Sequence, residues 1–276
     1  MTLKVGVIGY GAIASVALES VARELGGPLD AIICLARENG LTRAAAMLER
    51  AGPQLARARE VVSSVEALLD ARPLLVIEAA GHEALRDCGA KILRAGADLL
   101  VTSVGALADE ALYAALLAAS ANGGELLLSN GAIGGLDILA AAKLSGLDAV
   151  TYTSRKPPRA WRGTKAEALL DLDALTQATV FYQGTARGAA IDYPQNANVA
   201  ATLALAGAGF EATMVKLVAD PAATGNVHEI RVTSACADIA LKIEGCAAHD
   251  NPKTSLTTAY SVATQVLQWA NLRSRI

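Results

Sequence analysis

The feature that most constrains the fold lies near the start of the chain, where a short apolar run breaks into glycines and then into a helical pattern. The run Lys4–Ile8 predicts a strand, and Gly-Tyr-Gly-Ala-Ile-Ala follows it at residues 9–14. In dinucleotide-binding folds two glycines in this context allow a tight turn and a close approach to a pyrophosphate, and a third small residue, here Ala14, lets the helix pack on the strand. A purely structural glycine turn is the alternative. We assign four residues to the phosphate contact: Gly9, Gly11, Ala12 and Ile13.

Apolar runs alternate with helical patterns through the first half of the chain. The first helix ends at Gly26-Gly27-Pro28, and later helices are predicted near His82–Ala95 and Ala108–Ala121. Strands are predicted at Leu29–Leu35, Leu74–Ala79, Asp98–Thr102 and Glu125–Ser129. Such alternation is typical of a parallel sheet with right-handed crossovers. Residues 1–130 are therefore predicted to form a Rossmann-type doubly wound α/β domain.

The pattern changes after about Asn130, where strand-like runs become more closely spaced. The expected elements are a helix at Ile133–Leu144, a strand near Ala149–Thr153, a loop at Arg155–Arg162, and strands at Ala212–Ala219, Val227–Ser234 and Ala237–Gly245. Clustered strands of this kind predict an inserted α+β catalytic domain over residues 131–252, which would also carry a dimer contact. A last helix, Thr254–Leu272, is expected to return to the first domain, so that residues 253–276 complete it.

Composition narrows the class of protein. The net charge is −3 and the sequence pI is about 5.7, so nothing indicates a nucleic-acid-binding face. Hydrophobic residues make up 53% of the chain, yet no apolar run approaches the roughly 20 residues that span a bilayer. The four cysteines have no metal-type spacing, and the chain enters a strand with no signal-like segment before it. We expect a cytoplasmic protein with no membrane partner and no metal site.

The three histidines and one polar segment are the candidates for substrate chemistry. His228 lies in a strand-like run, where it is either a core residue or a catalytic base. His82 follows a predicted sheet strand, where ligands bind in this fold, and the alternative is that it only starts the next helix. Asn251–Ser255 is expected to open the last helix and to bind an anion through Lys253, Thr254 and Ser255, unless it is an ordinary N-cap.

Two further segments bear on the cofactor. Arg37 and Glu38 follow the second strand, where an acidic residue usually binds the ribose of NAD. Arg37 could bind the 2′-phosphate of NADP, and Glu38 could still reach a ribose hydroxyl of NAD. The pair therefore predicts use of NAD or NADP, and two solvated residues are the alternative. The segment Asn130–Gly135 is a second glycine-rich junction, which either lines the cofactor or serves as a hinge.

Five segments, in this order, resemble the L-aspartate dehydrogenase family across nearly the whole chain. They are GYGAIA, NGAIGGLDILAA, NANVAATLALAG, ADP…GNVHEI and NPKTS. The resemblance implies a Rossmann domain with an inserted catalytic domain, a homodimer, and oxidative deamination of L-aspartate with NAD or NADP. It also implies that His228 is the active-site residue, and that Ala132 and Asn198 contact the cofactor.

The implied reaction moves a hydride from the substrate Cα to the nicotinamide and leaves iminoaspartate, which water converts to oxaloacetate and ammonia. His228 would act as general base. One alternative is an imine or semialdehyde reductase of the dihydrodipicolinate or homoserine type, and another is a cofactor-binding sensor without turnover. The direction of the reaction in the cell, including supply of iminoaspartate for NAD biosynthesis, stays open.

Overall fold

The computed structural model describes residues 2–248 and 251–273, without the side chains of 247, 248 and 251–254. The chain forms two compact units. One contains the residues through Ser129 together with those from Ala259 onward, and the other contains Asn130–Thr258. The second unit is thus inserted in the sequence between Ser129 and Ala259 of the first.

The first unit is built on a six-stranded parallel sheet in the order β3-β2-β1-β4-β5-β6. Its strands are β1 (Lys4–Ile8), β2 (Leu29–Leu35), β3 (Ala56–Val62), β4 (Leu75–Glu78), β5 (Asp98–Val101) and β6 (Leu126–Leu128). Its helices are α1 (Ala12–Glu24), α2 (Leu41–Ala51), α3 (Val65–Asp70), α4 (His82–Arg94) and α5 (Glu110–Ser120). This strand order is that of the doubly wound dinucleotide-binding fold, so the Rossmann prediction is confirmed.

In the first unit, the strand that was not predicted from the sequence is β3. Buried and exposed residues do not alternate regularly along this strand, and Arg57, Arg59 and Glu60 interrupt its apolar residues. It pairs with β2 alone and lies at the edge of the sheet. Edge strands carry charged side chains because one side of the ladder meets solvent, and this removes the apolar run that marks a central strand.

The second unit is built on a mixed five-stranded sheet in the order β11-β10-β7-β9-β8. Its elements are α6 (Leu136–Ser145), β7 (Leu147–Lys156), β8 (Thr179–Thr185), α7 (Ala186–Asp192), α8 (Asn198–Ala206), β9 (Thr213–Ala219), β10 (Val227–Ser234) and β11 (Asp238–Glu244). Helices α6, α7 and α8 pack on the sheet. The predicted α+β character is confirmed. The structure also contains β8, α7 and α8, which were not predicted from the sequence.

Two boundaries in this unit differ from expectation and bear on function. Helix α6 begins at Leu136 rather than Ile133, because Gly135 adopts a φ of +76° at its N-cap. Strand β7 continues through Lys156, so the first residues of the expected loop at 155–162 are part of the sheet. The extension brings Lys156 onto the sheet face that the helices cover.

The expectation that Asn251–Ser255 forms the first turn of the last helix is wrong. These residues form β13 (Asn251–Ser255), which pairs with β12 (Ala247–Ala248), and α9 (Leu256–Arg273) begins only after them. The threonine and serine before an apolar run resemble an N-cap. Pairing with β12 determines the conformation instead.

Helix α9 supplies part of the core of the first unit from Ala259 onward. Val262 and Val266 are buried in that core, and Trp269 donates its indole N–H to the Asp98 carboxylate at 2.7 Å. Arg273 binds the same carboxylate oxygen at 2.7 Å. Within residues 2–248 and 251–273, no helix is long and apolar enough to cross a membrane.

Candidate active site

The turn after β1 has the geometry that a dinucleotide phosphate needs. Gly9 has a φ of +102°, and a Cβ there would lie 2.6 Å from the Ala79 carbonyl oxygen, so only glycine fits. Gly11 caps α1, and a Cβ added to it would meet no atom within 4 Å. The N-terminus of α1, at Ala12 and Ile13, therefore borders open space, and a helix N-terminus there can bind a phosphate. The residues fit a dinucleotide.

A buried carboxylate organises the neighbouring loops at the carboxyl edge of this sheet. Glu78 ends β4 and has no solvent exposure. One of its oxygens accepts the backbone N–H groups of Ala80 and Gly81 at 2.9 and 2.8 Å and the Ser103 hydroxyl at 2.9 Å; the other accepts the Ser103 N–H at 3.0 Å. Glu78 thus joins the loops after β4 and β5, next to the turn at Gly9. Ligands bind at this edge in open α/β sheets.

The residues after β2 place cations at the same edge. Arg37 follows the strand with an exposed side chain and lies 3.5 Å from Glu83, in the first turn of α4. Arg43 approaches the Tyr10 hydroxyl at 3.3 Å, and its guanidinium lies 5.0 Å from the centre of the Tyr10 ring. Arg37 lies just after the end of β2, near where NAD-binding folds usually have an acidic residue. His82 is half-buried and begins α4, one residue before Glu83.

In the second unit, polar side chains collect on the sheet face that the helices cover. Alternation along β7 buries Tyr152, Ser154 and Lys156 on one face, and His228 on β10 lies directly across from Ser154. We call these four residues, with Asn196, the polar cluster. Tyr152 and His228 bind each other, with 2.7 Å between the phenol oxygen and Nδ1, and their rings lie nearly parallel at 13°.

Lys156 holds a positive charge inside the polar cluster. Its ammonium donates to the Asn196 side-chain oxygen at 2.6 Å and lies 5.0 Å from the centre of the Trp161 ring. Only 8% of the residue is exposed. A buried cation on an aromatic face is a strong attractor for an anion, because low local polarity weakens the screening of its charge.

Burial and charge keep the histidine neutral. His228 is 4% exposed, and its loss of hydration lowers its pKa to about 4, with the Lys156 charge acting in the same direction. Burial raises the pKa of Tyr152, so the phenol stays protonated. Among the described residues nothing forms a hydrogen bond with His228 Nε2. The cluster therefore presents a neutral imidazole with one uncommitted nitrogen.

The remaining predicted contacts are distributed over the second unit. Ala132 is buried in the turn before α6, and Asn198 begins α8, which packs against α6. Ser255 is 6% exposed, and its hydroxyl lies close to Gly245: a Cβ added to that glycine would be 3.3 Å from the hydroxyl oxygen. Gly245 in turn donates its N–H to Asn226 at 2.8 Å, two residues before His228. The Lys253 and Thr254 side chains lie outside the described residues.

Five residues of these two sites were not predicted from the sequence: Glu78 in the first unit, and Tyr152, Ser154, Lys156 and Asn196 in the polar cluster. Tyr152 and Lys156 could have been found from the period-two pattern Val150, Tyr152, Ser154, Lys156, which predicts one buried face of a strand. Glu78 carried a signal as the one acidic residue in the apolar run Leu74–Ala79. An acidic residue at the end of a buried strand needs partners, which makes it a candidate organiser of nearby loops.

Comparisons with known proteins agree with both halves of this description. Residues 137–269 match the family model described as aspartate dehydrogenase, C-terminal, and residues 9–129 match the one described as homoserine dehydrogenase, NAD binding domain. The L-aspartate dehydrogenase of Ralstonia nicotianae is 45% identical over 94% of this chain and 95% of its own. That of Cupriavidus necator is 52% identical over 70% of this chain and 73% of its own.

Among solved structures, the aspartate dehydrogenase from Thermotoga maritima matches with a TM-score of 0.71 and 28% identity. The match covers 100% of this chain and 99% of that one, so both units and their order along the sequence are shared.

Proposed function

We propose that this chain, which belongs to the L-aspartate dehydrogenase family, catalyses the oxidative deamination of L-aspartate with NAD or NADP. The first product is iminoaspartate, and addition of water then gives oxaloacetate and ammonia. Relatives of that name span nearly the full length of the chain. The alternatives are another imine or semialdehyde reductase and a cofactor-binding sensor. The match to homoserine dehydrogenase covers the NAD-binding residues 9–129 alone, whereas residues 137–269 match aspartate dehydrogenase.

The observation that carries the proposal is the state of His228. Its Nδ1 is bound by Tyr152, whereas its Nε2 is buried and without a hydrogen-bond partner among the described residues. A buried polar atom left unsatisfied costs free energy, and such atoms call for an explanation such as a catalytic role. A substrate or a water that binds at Nε2 would supply the missing bond.

His228 acts as the general base. A bound nicotinamide would supply the acceptor for the hydride that leaves the substrate Cα. Nε2 removes a proton either from the substrate amine or from the water that attacks the imine carbon. The imidazole is neutral at physiological pH because burial lowers its pKa to about 4, so it is ready to accept a proton. The two carboxylates of the bound substrate favour the imidazolium and raise this pKa, which makes the base stronger when substrate is bound.

The substrate's two carboxylates need cations or hydrogen-bond donors. Lys156 is the residue that the structure favours for one of them, because its buried charge lies close enough to His228 to lower the pKa of the imidazole. Ser255 is a candidate for the other, through a buried hydroxyl with no bonded partner among described residues. Lys253, Thr254 and His82 remain candidates from the sequence.

The cofactor is held by the first unit, with its pyrophosphate at Gly9, Gly11, Ala12 and Ile13. The fit rests on the positive φ at Gly9 and the open space at Gly11. Ala132 and Asn198 are the contacts that family membership adds from the second unit.

Both NAD and NADP are accepted in this proposal. Arg37 supports the use of NADP, because its guanidinium can bind the 2′-phosphate. An acidic residue at this position would repel that phosphate. The neighbouring Glu83, 3.5 Å away, competes for that guanidinium and limits the preference for NADP.

The protein is proposed to be a cytoplasmic homodimer that interconverts aspartate and iminoaspartate, one use being supply of iminoaspartate for NAD biosynthesis. The free thiols of Cys34, Cys88, Cys236 and Cys246 suit a reducing compartment. Light scattering of the purified protein measures the oligomeric state, and a monomer would contradict the homodimer.

The experiment that tests the function follows reduced nicotinamide by absorbance. L-aspartate is supplied with NAD or NADP, and oxaloacetate with ammonium and each reduced cofactor. D-aspartate, L-asparagine and L-glutamate serve as matched substrates that change chirality, one carboxylate or chain length. Turnover confined to L-aspartate and oxaloacetate is expected. Cofactor binding without turnover of L-aspartate would refute the proposal.

Within that assay, Lys156→Met tests the carboxylate contact. The variant is nearly isosteric and removes the charge, so we expect a raised KM for L-aspartate and an unchanged Kd for the cofactor. An unchanged KM would remove Lys156 from the substrate site.

A further inference from the structure

His228 and Tyr152 form a buried pair. They are separated by 76 positions along the chain, and the pairing of β7 with β10 brings them together. Tyr152 is 1% exposed and His228 is 4% exposed. Their hydrogen bond is 2.7 Å long, and their ring planes differ by 13°. Such a contact determines more than position, because a neutral imidazole has two tautomers and the partner of one nitrogen selects between them.

We propose that Tyr152 is a positioning residue that holds His228 with the proton on Nδ1, so that Nε2 presents a lone pair to the substrate. This inference rests on the proposed function for the use of that lone pair, and on the geometry of the pair for the rest. In this arrangement Nδ1–H donates to the Tyr152 oxygen, and the Tyr152 hydroxyl directs its own proton away from the ring.

Ser154 is the group that can receive that proton. It is fully buried two residues along β7, on the same face as Tyr152 and directly across from His228. Its hydroxyl has no hydrogen-bond partner among the described residues, so its oxygen can accept a proton donated by the phenol. If the Tyr152 hydroxyl donates to the Ser154 oxygen, that buried oxygen gains a hydrogen-bond partner.

The opposite tautomer is less favourable on physical grounds. If Tyr152 donated to Nδ1, the proton would be on Nε2, and a buried N–H would have no acceptor among the described residues. Orphaned buried N–H groups are rarer in proteins than under-satisfied acceptors. With the proton on Nδ1, the atom left over is an acceptor, which is also what a general base requires.

The test reads the tautomer directly. Long-range proton–nitrogen correlation spectra of the full-length protein labelled with ¹⁵N-histidine contain signals from only three histidines. His228→Asn identifies the signals of His228. At neutral pH, without cofactor or substrate, we expect a protonated, pyrrole-like Nδ1 and an unprotonated, pyridine-like Nε2. A proton on Nε2 would overturn the proposal.

Tyr152→Phe then removes only the hydroxyl, and Ser154→Ala removes its acceptor. We expect both variants to shift the two nitrogen resonances of His228 toward each other as the tautomers mix. Tyr182→Phe is the matched control, because Tyr182 is in the same unit and donates to the Thr185 carbonyl at 3.0 Å. Resonances that stay unchanged in both variants would overturn the proposal, and Ser154→Ala keeps it testable if Tyr152→Phe does not fold.

Activity provides a second readout. Because Tyr152 acts through His228, Tyr152→Phe should lower kcat by about tenfold to 10²-fold, while KM for L-aspartate and Kd for the cofactor change little. The pH at which kcat reaches half its maximum should also shift. An unchanged kcat with an unchanged pH profile would refute the positioning role. The spectra are recorded without substrate, so they stand whether or not L-aspartate is the substrate.

Discussion

Acid should destabilise the second unit through His228, and replacing that residue should remove the effect. Burial of the imidazole, together with the nearby Lys156 ammonium, lowers its pKa to about 4 in the folded protein against 6.5 in an unfolded chain. Between these values the unfolded state binds a proton that the folded state does not. Stability from this group is therefore complete above pH 6.5 and is lost as the pH falls toward 4.

The size of the effect follows from the shift. A difference of about 2.5 pKa units corresponds to about 3 kcal/mol in total, because each unit is about 1.4 kcal/mol. The linkage relation places about 2 kcal/mol of this loss between pH 7.5 and pH 5. Since His228 is 4% exposed, solvent screening reduces the figure little.

The assay compares wild type with His228→Asn in urea at several pH values. The asparagine amide can replace Nδ1 in the bond to Tyr152, so the variant removes the titration with little change in packing. In a Trp269→Phe background the remaining tryptophan is Trp161, which is buried in the second unit and reports its unfolding by fluorescence. The free energy of unfolding of the wild type should fall relative to the variant as the pH decreases. A difference that is constant from pH 7.5 to pH 5 would refute the reasoning.

Three substitutions test the first unit. Gly9→Ala places a Cβ 2.6 Å from the Ala79 oxygen at a φ of +102°, so it should cost about 1–3 kcal/mol in urea unfolding and weaken cofactor binding by calorimetry; a wild-type Kd would contradict this. Glu78→Gln puts an NH₂ group against a backbone N–H and should cost about 1–3 kcal/mol, with a higher cofactor Kd; unchanged stability would show that the loops do not depend on this carboxylate. Arg37→Ala should raise KM for NADP roughly tenfold and leave KM for NAD nearly unchanged; equal changes for both cofactors would remove Arg37 from the 2′-phosphate contact.

The first unit could be predicted from sequence because its signals are local. The strand, the glycines and α1 adjoin one another in residues 4–24, and each later strand of the central sheet is a short apolar run. β3 escaped prediction because an edge strand does not need such a run. Its Arg and Glu residues meet solvent, and its place depends on pairing with β2.

The polar cluster could be predicted only in part. His228 was found because it stands in a recognisable segment, but its partner Tyr152 becomes visible only when β7 and β10 pair in a particular register. A shift of one residue would turn Tyr152 to the opposite face of the sheet. Sequence patterning does not determine register between strands so far apart, so the pair follows from the fold.

The segment Asn251–Ser255 illustrates the opposite error. Its residues are of types that are common at the start of a helix, yet they form a strand because they pair with β12. The interpretation of an anion site at a helix N-terminus therefore loses its geometric basis, although Ser255 directly precedes α9. Lys156, which sequence analysis took for a loop residue, is the better cation.

The central claim is that His228 accepts a proton during oxidation of L-aspartate. Its most direct test is kcat for His228→Asn with saturating L-aspartate and cofactor, measured beside the Kd for the cofactor in the same preparation. The account predicts a loss of about 10²–10⁴-fold in kcat with an unchanged Kd. Turnover within a few-fold of wild type would contradict it.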